Sequence, residues 1–457
     1  MAESTMSLEA SVEATLSALR DDQWRAAQSF TIFRVPAYVR ESSRNSYEPR
    51  MVSIGPYYHG GAALRAMEDH KWRYLQDLLY RGGPVVTASA LVAEMRALEA
   101  RARACYSERP AGLASDDFVR MLLLDGCFIL EFFFKWHTRE ADALCDIGWG
   151  LTTVAADLLL MENQIPFFVL ERLYGVIAGA QGGRESLLNL FVEYIEEGDP
   201  IRRPSADLEV NHLLHLYYEC YVPKRPAKQA TIMQIIPCAT KLSEAGVTFV
   251  KHKVALARLY DCFVPKRTPP LTRTIPRATE LLEAGVTFVL ATAARDSYDV
   301  TFDRRRGVMR IPVIEIDDIK RPLLINLIAF EQTLGCEEPH ILTSYVVLMS
   351  NLIVTTRDVE LLRRRRILES LLADDDEAAR FFSRLGEGGA INYKLQTFSG
   401  LYDDVRRYCD SPWHRYRAAL HRDYFSSPWS VISLVVAAFV IALAATQTYF
   451  TVFPAKK

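Results

Sequence analysis

FVRMLLLDGCFILEFFFKW, residues 118 to 136, is apolar nearly all round, and the reading of this stretch decides the fold. It is long enough to raise a membrane span. Arg120, Asp125 and Glu131 weigh against one, because an ionised group at a bilayer centre costs about 2.5 to 3.5 kcal/mol even on the mild insertion scale. The stretch is therefore expected to be the central core helix of a helical bundle. Asp125 and Glu131 must then be neutral, paired or hydrogen-bonded in the interior.

The next apolar segment, DLLLMENQIPFFVLERLYG (157 to 175), contains Pro166. A proline disfavours helix in the residue before it and suits the first turn of a new one, so one helix should end near Gln164 and another begin at the proline. Glu162, Asn163 and Gln164 crowd this break. With Asp125, Glu131 and Pro166 they form a candidate structural motif, in which the polar groups bond to Arg120, Arg172 or free backbone groups. A paired-carboxylate active site is the competing reading.

Toward the N-terminus, residues 30 to 62 are broken by Pro36, Pro49, Gly55 and Pro56 and read as an extended, turn-rich lead-in. Leu64 to Tyr80 and Thr87 to Tyr106 are patterned as charged amphipathic helices. Residues 1 to 29 form a variable segment, where Met6, Leu8, Val12, Leu16 and Leu19 suggest a short amphipathic helix. Early acidic residues there exclude a secretory signal.

Toward the C-terminus the chain repeats itself. YECYVPKR (218 to 225) recurs as YDCFVPKR (260 to 267), and IPCATKLSEAGVTFV (236 to 250) recurs as IPRATELLEAGVTFV (275 to 289). The duplicated module thus covers about 215–250 and 257–289, and two copies are too few for a solenoid. YDVTFDRRRGVMRIPVIEID (298 to 317) alternates around Arg306 and Gly307 and predicts a β-hairpin. Leu323 to Leu334 and Ile341 to Val354 read as an apolar helix pair. Helices at 357–373 and 375–385, a GEGG loop at 386 and a helix near Tyr402 to Tyr408 follow.

The tail from Tyr424 to Ala455 carries no charge. A helix over 429–453 would be about 37 Å long against a hydrocarbon core of about 30 Å. It is expected to be a transmembrane anchor, with Trp429, Val431, Leu434, Phe439, Leu443, Tyr449 and Phe453 facing lipid or its interfaces. A single-pass protein with a cytosolic body follows, the plasma membrane being favoured over endomembranes.

Hydrophobic residues make up 50% of the 457 and charged residues 24%, which excludes a disordered chain. Lys and Arg (54) nearly balance Asp and Glu (56), so overall charge favours no nucleic acid partner. The basic runs at 304–306 and 363–366 stand beside acids and read as solvated faces, with lipid headgroups as the alternative. Eight scattered cysteines without C-x-x-C spacing read as reduced thiols. Cys127, inside the apolar helix, reads as inert. His212 and His215 with Cys220 have one metal-ligand spacing, but their aromatic, apolar setting reads as packing. P-loop, G-x-G-x-x-G, H-E-x-x-H and G-x-S-x-G motifs are absent from the sequence. No catalytic residue, metal or cofactor is therefore expected.

IFRVP (32 to 36), YEPRMVSIGPYYHG (47 to 60) with Lys71 beyond, LDGCFILEFF (124 to 133), LLLMENQIPFFVLERL (158 to 173), ATELLEAGVTF (278 to 288), NLIAFEQ (326 to 332) and SYVVLMSNLIVTTRDVELL (344 to 362) occur in order. Together they resemble the plant-specific family called domain of unknown function 247, over roughly residues 30 to 453. The resemblance implies a mainly helical protein with a C-terminal transmembrane segment and no established biochemical activity, some grass members being linked to self-incompatibility between pollen and stigma. The duplicated module departs from the single copy usual in that family.

The expected architecture is mainly α: an irregular helical bundle over 30–423 with a small β-hairpin and one C-terminal transmembrane helix at 429–453. The expected function is that of a non-catalytic recognition or signalling component, with the lipid bilayer and an unidentified protein as partners. An enzyme of unrecognised type and a structural membrane protein are the alternatives.

Overall fold

The computed structural model describes residues 30–224, 275–411 and 428–452, apart from 42, 111, 143, 145–146, 180–182, 197–201, 206, 293–295, 336–339, 373, 386–396 and 410, together with residues 8, 12, 13 and 16. Residues 225–250 of the first copy of the duplicated module and 257–274 of the second, the GEGG loop and most of the N-terminal amphipathic segment lie outside the described residues. In chain order the helices are α1 (Ala37–Glu41), α2 (Ala66–Arg81), α3 (Ala88–Ala104), α4 (Ser115–Thr138), α5 (Gly150–Leu158), α6 (Phe167–Ala178), α7 (Arg184–Glu196), α8 (Leu213–Tyr221) and α9 (Ala278–Glu283). They continue as α10 (Lys320–Glu331), α11 (Ile341–Leu352), α12 (Thr356–Arg364), α13 (Asp375–Leu385), α14 (Ser399–Cys409) and α15 (Pro428–Val452). The strands are β1 (Thr287–Leu290), β2 (Thr301–Asp303), β3 (Val308–Ile311), β4 (Ile314–Ile316) and β5 (Leu368–Ser370). The protein is mainly helical, with two small sheets among the described residues.

The chain divides into two compact units, Met1–Arg225 with Asp317–Glu338 and Pro226–Ile316 with Pro339–Lys457. In the first, α4 is the central element. From Phe118 to Phe133 it is buried everywhere except at Arg120, because α2, α3, α6 and α7 pack around it. Asp116 and Asp117 in its first turn and Lys135 and His137 in its last complement the helix dipole. Gly126 permits the close approach of α6, since a Cβ there would stand 2.4 Å from Leu173 Cδ1. Thr87 caps α3 by accepting the Ala90 N–H.

The helix through Asp157 ends at Leu158, sooner than the position of Pro166 suggests. Pro166 stands at the N-cap of α6 rather than inside its first turn. Residues 161–166 between them are buried without being helical.

In the second unit the predicted hairpin is β2 paired antiparallel with β3. Gly307 makes the reversal at φ +67, and Asp303 Oδ1 accepts the Arg305 and Arg306 N–H groups. β1 adds to β3 in parallel, giving the order β1-β3-β2. The segment predicted as one helix over 357–373 is instead α12 followed by β5, which pairs in parallel with β4. Arg366 at φ 56 breaks the helix; the Thr355–Asp358 capping box starts it. The expected apolar helix pair is also divided, α10 belonging to the first unit and α11 to the second.

The expected C-terminal transmembrane helix is corrected. Among the described residues, no helix is long and apolar enough to cross a membrane. Pro428–Val452 is one α-helix. Its C-terminal part carries the polar residues Thr446, Gln447 and Thr448. Of the expected anchor residues, Phe439 and Leu443 are exposed on this helix. The side chains of Trp429, Val431, Leu434, Tyr449 and Phe453 lie outside the described residues.

Candidate functional site

The carboxylates singled out from the sequence lie in the first unit, where Asp125 and Glu162 hold the lead-in segment against the core. Non-helical backbone leaves its N–H and C=O groups without regular partners, and burying such groups unpaired costs free energy. Residues 50 to 55 meet this demand with side chains from elsewhere in the unit. Asp157 accepts the N–H groups of Arg50, Met51 and Val52 at 2.9, 2.6 and 2.9 Å. Asn163 accepts the Ile54 N–H at 2.7 Å and donates to Val52 O at 3.0 Å. Asp125 accepts the Gly55 N–H at 2.8 Å, and Lys71 donates to Ser53 O at 2.7 Å.

Glu162 secures the earlier part of the strap. It accepts the Val35 N–H at 2.7 Å and the Tyr58 hydroxyl at 2.8 Å, and pairs with Arg40. Gln164 serves the break itself, donating to Leu158 O and Leu160 O and accepting the Leu214 N–H, while its backbone carbonyl accepts from Tyr106. Asn326 of α10 accepts the Met161 N–H and donates to Ser46 O. Glu131 lies apart from these groups in the chain, held by Arg81 through both of its oxygens. Arg120 and Arg172, named above as partners, pair with Asp117 and Glu94 instead.

The electrostatics follow from burial and pairing. Burial raises the Asp125 carboxyl above its ordinary value against the pull of Lys71 and the Gly55 N–H. For Lys71, burial opposes the charge, but Asp125 and Glu68 outweigh it and hold the ammonium above its usual range. Asp157 is raised by burial despite its three backbone donors. Burial also pushes the Cys127 thiol up, which makes it a poor nucleophile. Each carboxylate of the motif is thus engaged by a cation or by backbone donors, an arrangement that fastens chain segments together.

Gly55 makes the tightest crossing. Its φ is +74, and a Cβ would stand 2.3 Å from Gln164 O. Gly55→Ala should lower stability by about 2 to 3 kcal/mol, combining left-handed backbone strain with a backbone collision. A urea midpoint unchanged by this substitution would count against the crossing.

His212 and His215 also prove to be local fasteners. His212 Nδ1 caps α8 by accepting the His215 N–H at 3.2 Å, and its Nε2 lies 3.0 Å from Thr31 O. A neutral ring with its proton on Nε2 satisfies both bonds. His215 Nδ1 accepts the Asn211 N–H at 3.1 Å. Three of the four ring nitrogens are therefore committed within the protein, and among the described residues no cluster of His, Cys, Asp or Glu is arranged to hold a metal ion.

Sequence reasoning found Asp125, Glu162, Asn163 and Gln164 because polar residues stood in apolar runs. It missed Arg40, Tyr58 and Lys71 as their partners, and Asp157 and Asn326 as further fasteners. The available signal was that the proline-broken lead-in offers backbone groups with no regular ladder, so polar residues elsewhere have to supply one.

A mainly helical protein in which buried polar residues bind an irregular strap is the class that these features define. The chain belongs to the family described as plant protein of unknown function, DUF247, whose model matches residues 32–264 and 264–443. Two relatives come from Arabidopsis thaliana. UPF0481 protein At3g47200 is 28% identical over 431 residues, covering 92% of this chain and 86% of its own length. Putative UPF0481 protein At3g02645 is 25% identical over 501 residues, covering 97% of this chain and 94% of its own length. No solved structure matches the chain.

Proposed function

We propose that this chain is a non-catalytic recognition component whose first unit binds another protein through the outer face of α2. The observation that carries the reading is an exposed aromatic stripe. Trp72 and Tyr80 are 51% and 91% exposed, and Val85 just beyond the helix is 87% exposed. Gln76 lies midway between the two rings, so all three share one face at four-residue spacing. Exposed Asp69 and Arg73 flank them. Tryptophan, tyrosine and arginine are the residue types that dominate interface hot spots.

The non-catalytic part of the reading is supported by the carboxylates of the motif: Asp125 and Glu162 are spent on holding the strap, and Glu131 on Arg81. The family resemblance makes recognition between pollen and stigma the proposed setting. Affinity recovery with the full-length protein should yield one stoichiometric protein that Trp72→Ala/Tyr80→Ala loses at least tenfold, while stability changes by less than about 0.5 kcal/mol. Undiminished recovery by the double variant would remove α2 as the surface. Substrate turnover abolished by one interior substitution would overturn the non-catalytic reading.

A further inference from the structure

A cavity of about 440 Å³ opens into the first unit between α4, α5, α7, α8 and the start of α10. Its walls carry five aromatic rings, Phe133, Trp136, Phe191, Tyr194 and Tyr217. Three edge-to-face contacts hold four of them: Phe133 to Phe191 at 4.6 Å, Phe133 to Tyr194 at 5.2 Å, and Trp136 to Tyr194 at 5.0 Å between centroids. The walls are therefore pre-organised, and a ligand would order few side chains on entry.

The space exists because α5 presents Ala155 and Ala156 to it. Interiors normally close such gaps with larger side chains. The volume falls within the roughly 300 to 1,000 Å³ of small-molecule sites.

The lining also defines the ligand. It includes no carboxylate, and its polar minority comprises Thr152, Tyr194, Tyr217, Trp136 and Lys320. Lys320 is the one charged residue of the lining and already has a partner within the protein. A charged ligand would lose its hydration among predominantly apolar side chains such as Leu158, Phe191 and Leu216. We propose that this cavity is a binding site for an uncharged, largely apolar small molecule. The inference is independent of the α2 surface.

The test titrates full-length protein with the neutral fluorophore 1-aminoanthracene and then displaces it with decanol or decanoate. Saturable one-to-one binding is expected, with decanol displacing the probe at least tenfold better than decanoate at neutral pH. Ile432, Phe439 and Ile441 of α15 are exposed apolar side chains and offer the probe a second place to adsorb, so cavity-filling variants are the deciding arm. Ala156→Trp should lower probe affinity at least tenfold without lowering the melting temperature, and Ala155→Leu supplies the same reading if the larger residue disturbs folding. Binding undiminished in a folded filled variant, or no saturable binding, would overturn the site. Better displacement by decanoate would overturn the uncharged class of ligand.

Discussion

Lys71→Met should lower the stability of the protein by about 3 to 5 kcal/mol, the range seen when one partner of a buried ion pair is removed. Lys71 and Asp125 have 0% and 1% of their side chains exposed and meet at 2.6 Å. Methionine keeps much of the volume of lysine and removes the charge. Asp125 would be left as a buried carboxylate with only the Gly55 N–H, and Ser53 O would lose its donor. Burial already raises the Asp125 carboxyl, so removing the cation adds to a desolvation penalty that is present in the intact protein. Lys71→Met/Asp125→Asn should recover at least half of the loss, because asparagine can still accept from Gly55 without carrying a charge. Urea unfolding of the two variants measures this. Equal losses in both would mean that the charge at 125 is not what Lys71 compensates.

The same pair marks how far the sequence could be read. An acid inside an apolar helix announces that it needs a partner, and Asp125, Glu131 and Glu162 were legible on that ground. The identity of the partner was not, because Arg40, Lys71 and Arg81 come from segments whose distance in the chain says nothing about proximity in the fold. Helices with long periodic patterns, such as 66–81 and 115–138, were legible because one period and one burial pattern agree over several turns. The segment 357–373 was misread because its last third is a short strand whose partner, Ile314–Ile316, is far along the chain. Parallel pairing leaves no local turn signal. The uncharged tail illustrates a different limit: apolar composition made it look like an anchor, but no described helix meets the length and apolarity that crossing requires.

Acid should destabilise the protein through His212 between pH 6.5 and pH 3. Burial, with His215 nearby, pushes the imidazole down to about 3, whereas an unfolded chain holds histidine near 6.5. A depressed folded value means that the unfolded state binds the proton first as pH falls. The stability contributed by neutral His212 is therefore complete above about 6.5 and is lost toward 3, at about 1.4 kcal/mol per pH unit, or about 3 kcal/mol by pH 4. The geometry supplies the reason: protonation would place a hydrogen on Nδ1, where the ring accepts the His215 N–H, and would bury a charge edge-on to Phe330 at 5.3 Å. Asp125, Glu131 and Asp157 work in the opposite direction, since their raised values add stability as pH falls through them. Total stability is consequently a mixture, and only a comparison isolates the histidine. In His212→Asn the side-chain oxygen can still cap α8, and nothing at that position titrates. The variant should be the less stable protein at pH 7.5, having lost the bond to Thr31 O, and the gap should close or reverse by pH 4. Parallel stability profiles for the two proteins across this range would show that His212 takes up its proton equally well in the folded chain, and the account of α8 as capped by a neutral imidazole would fail.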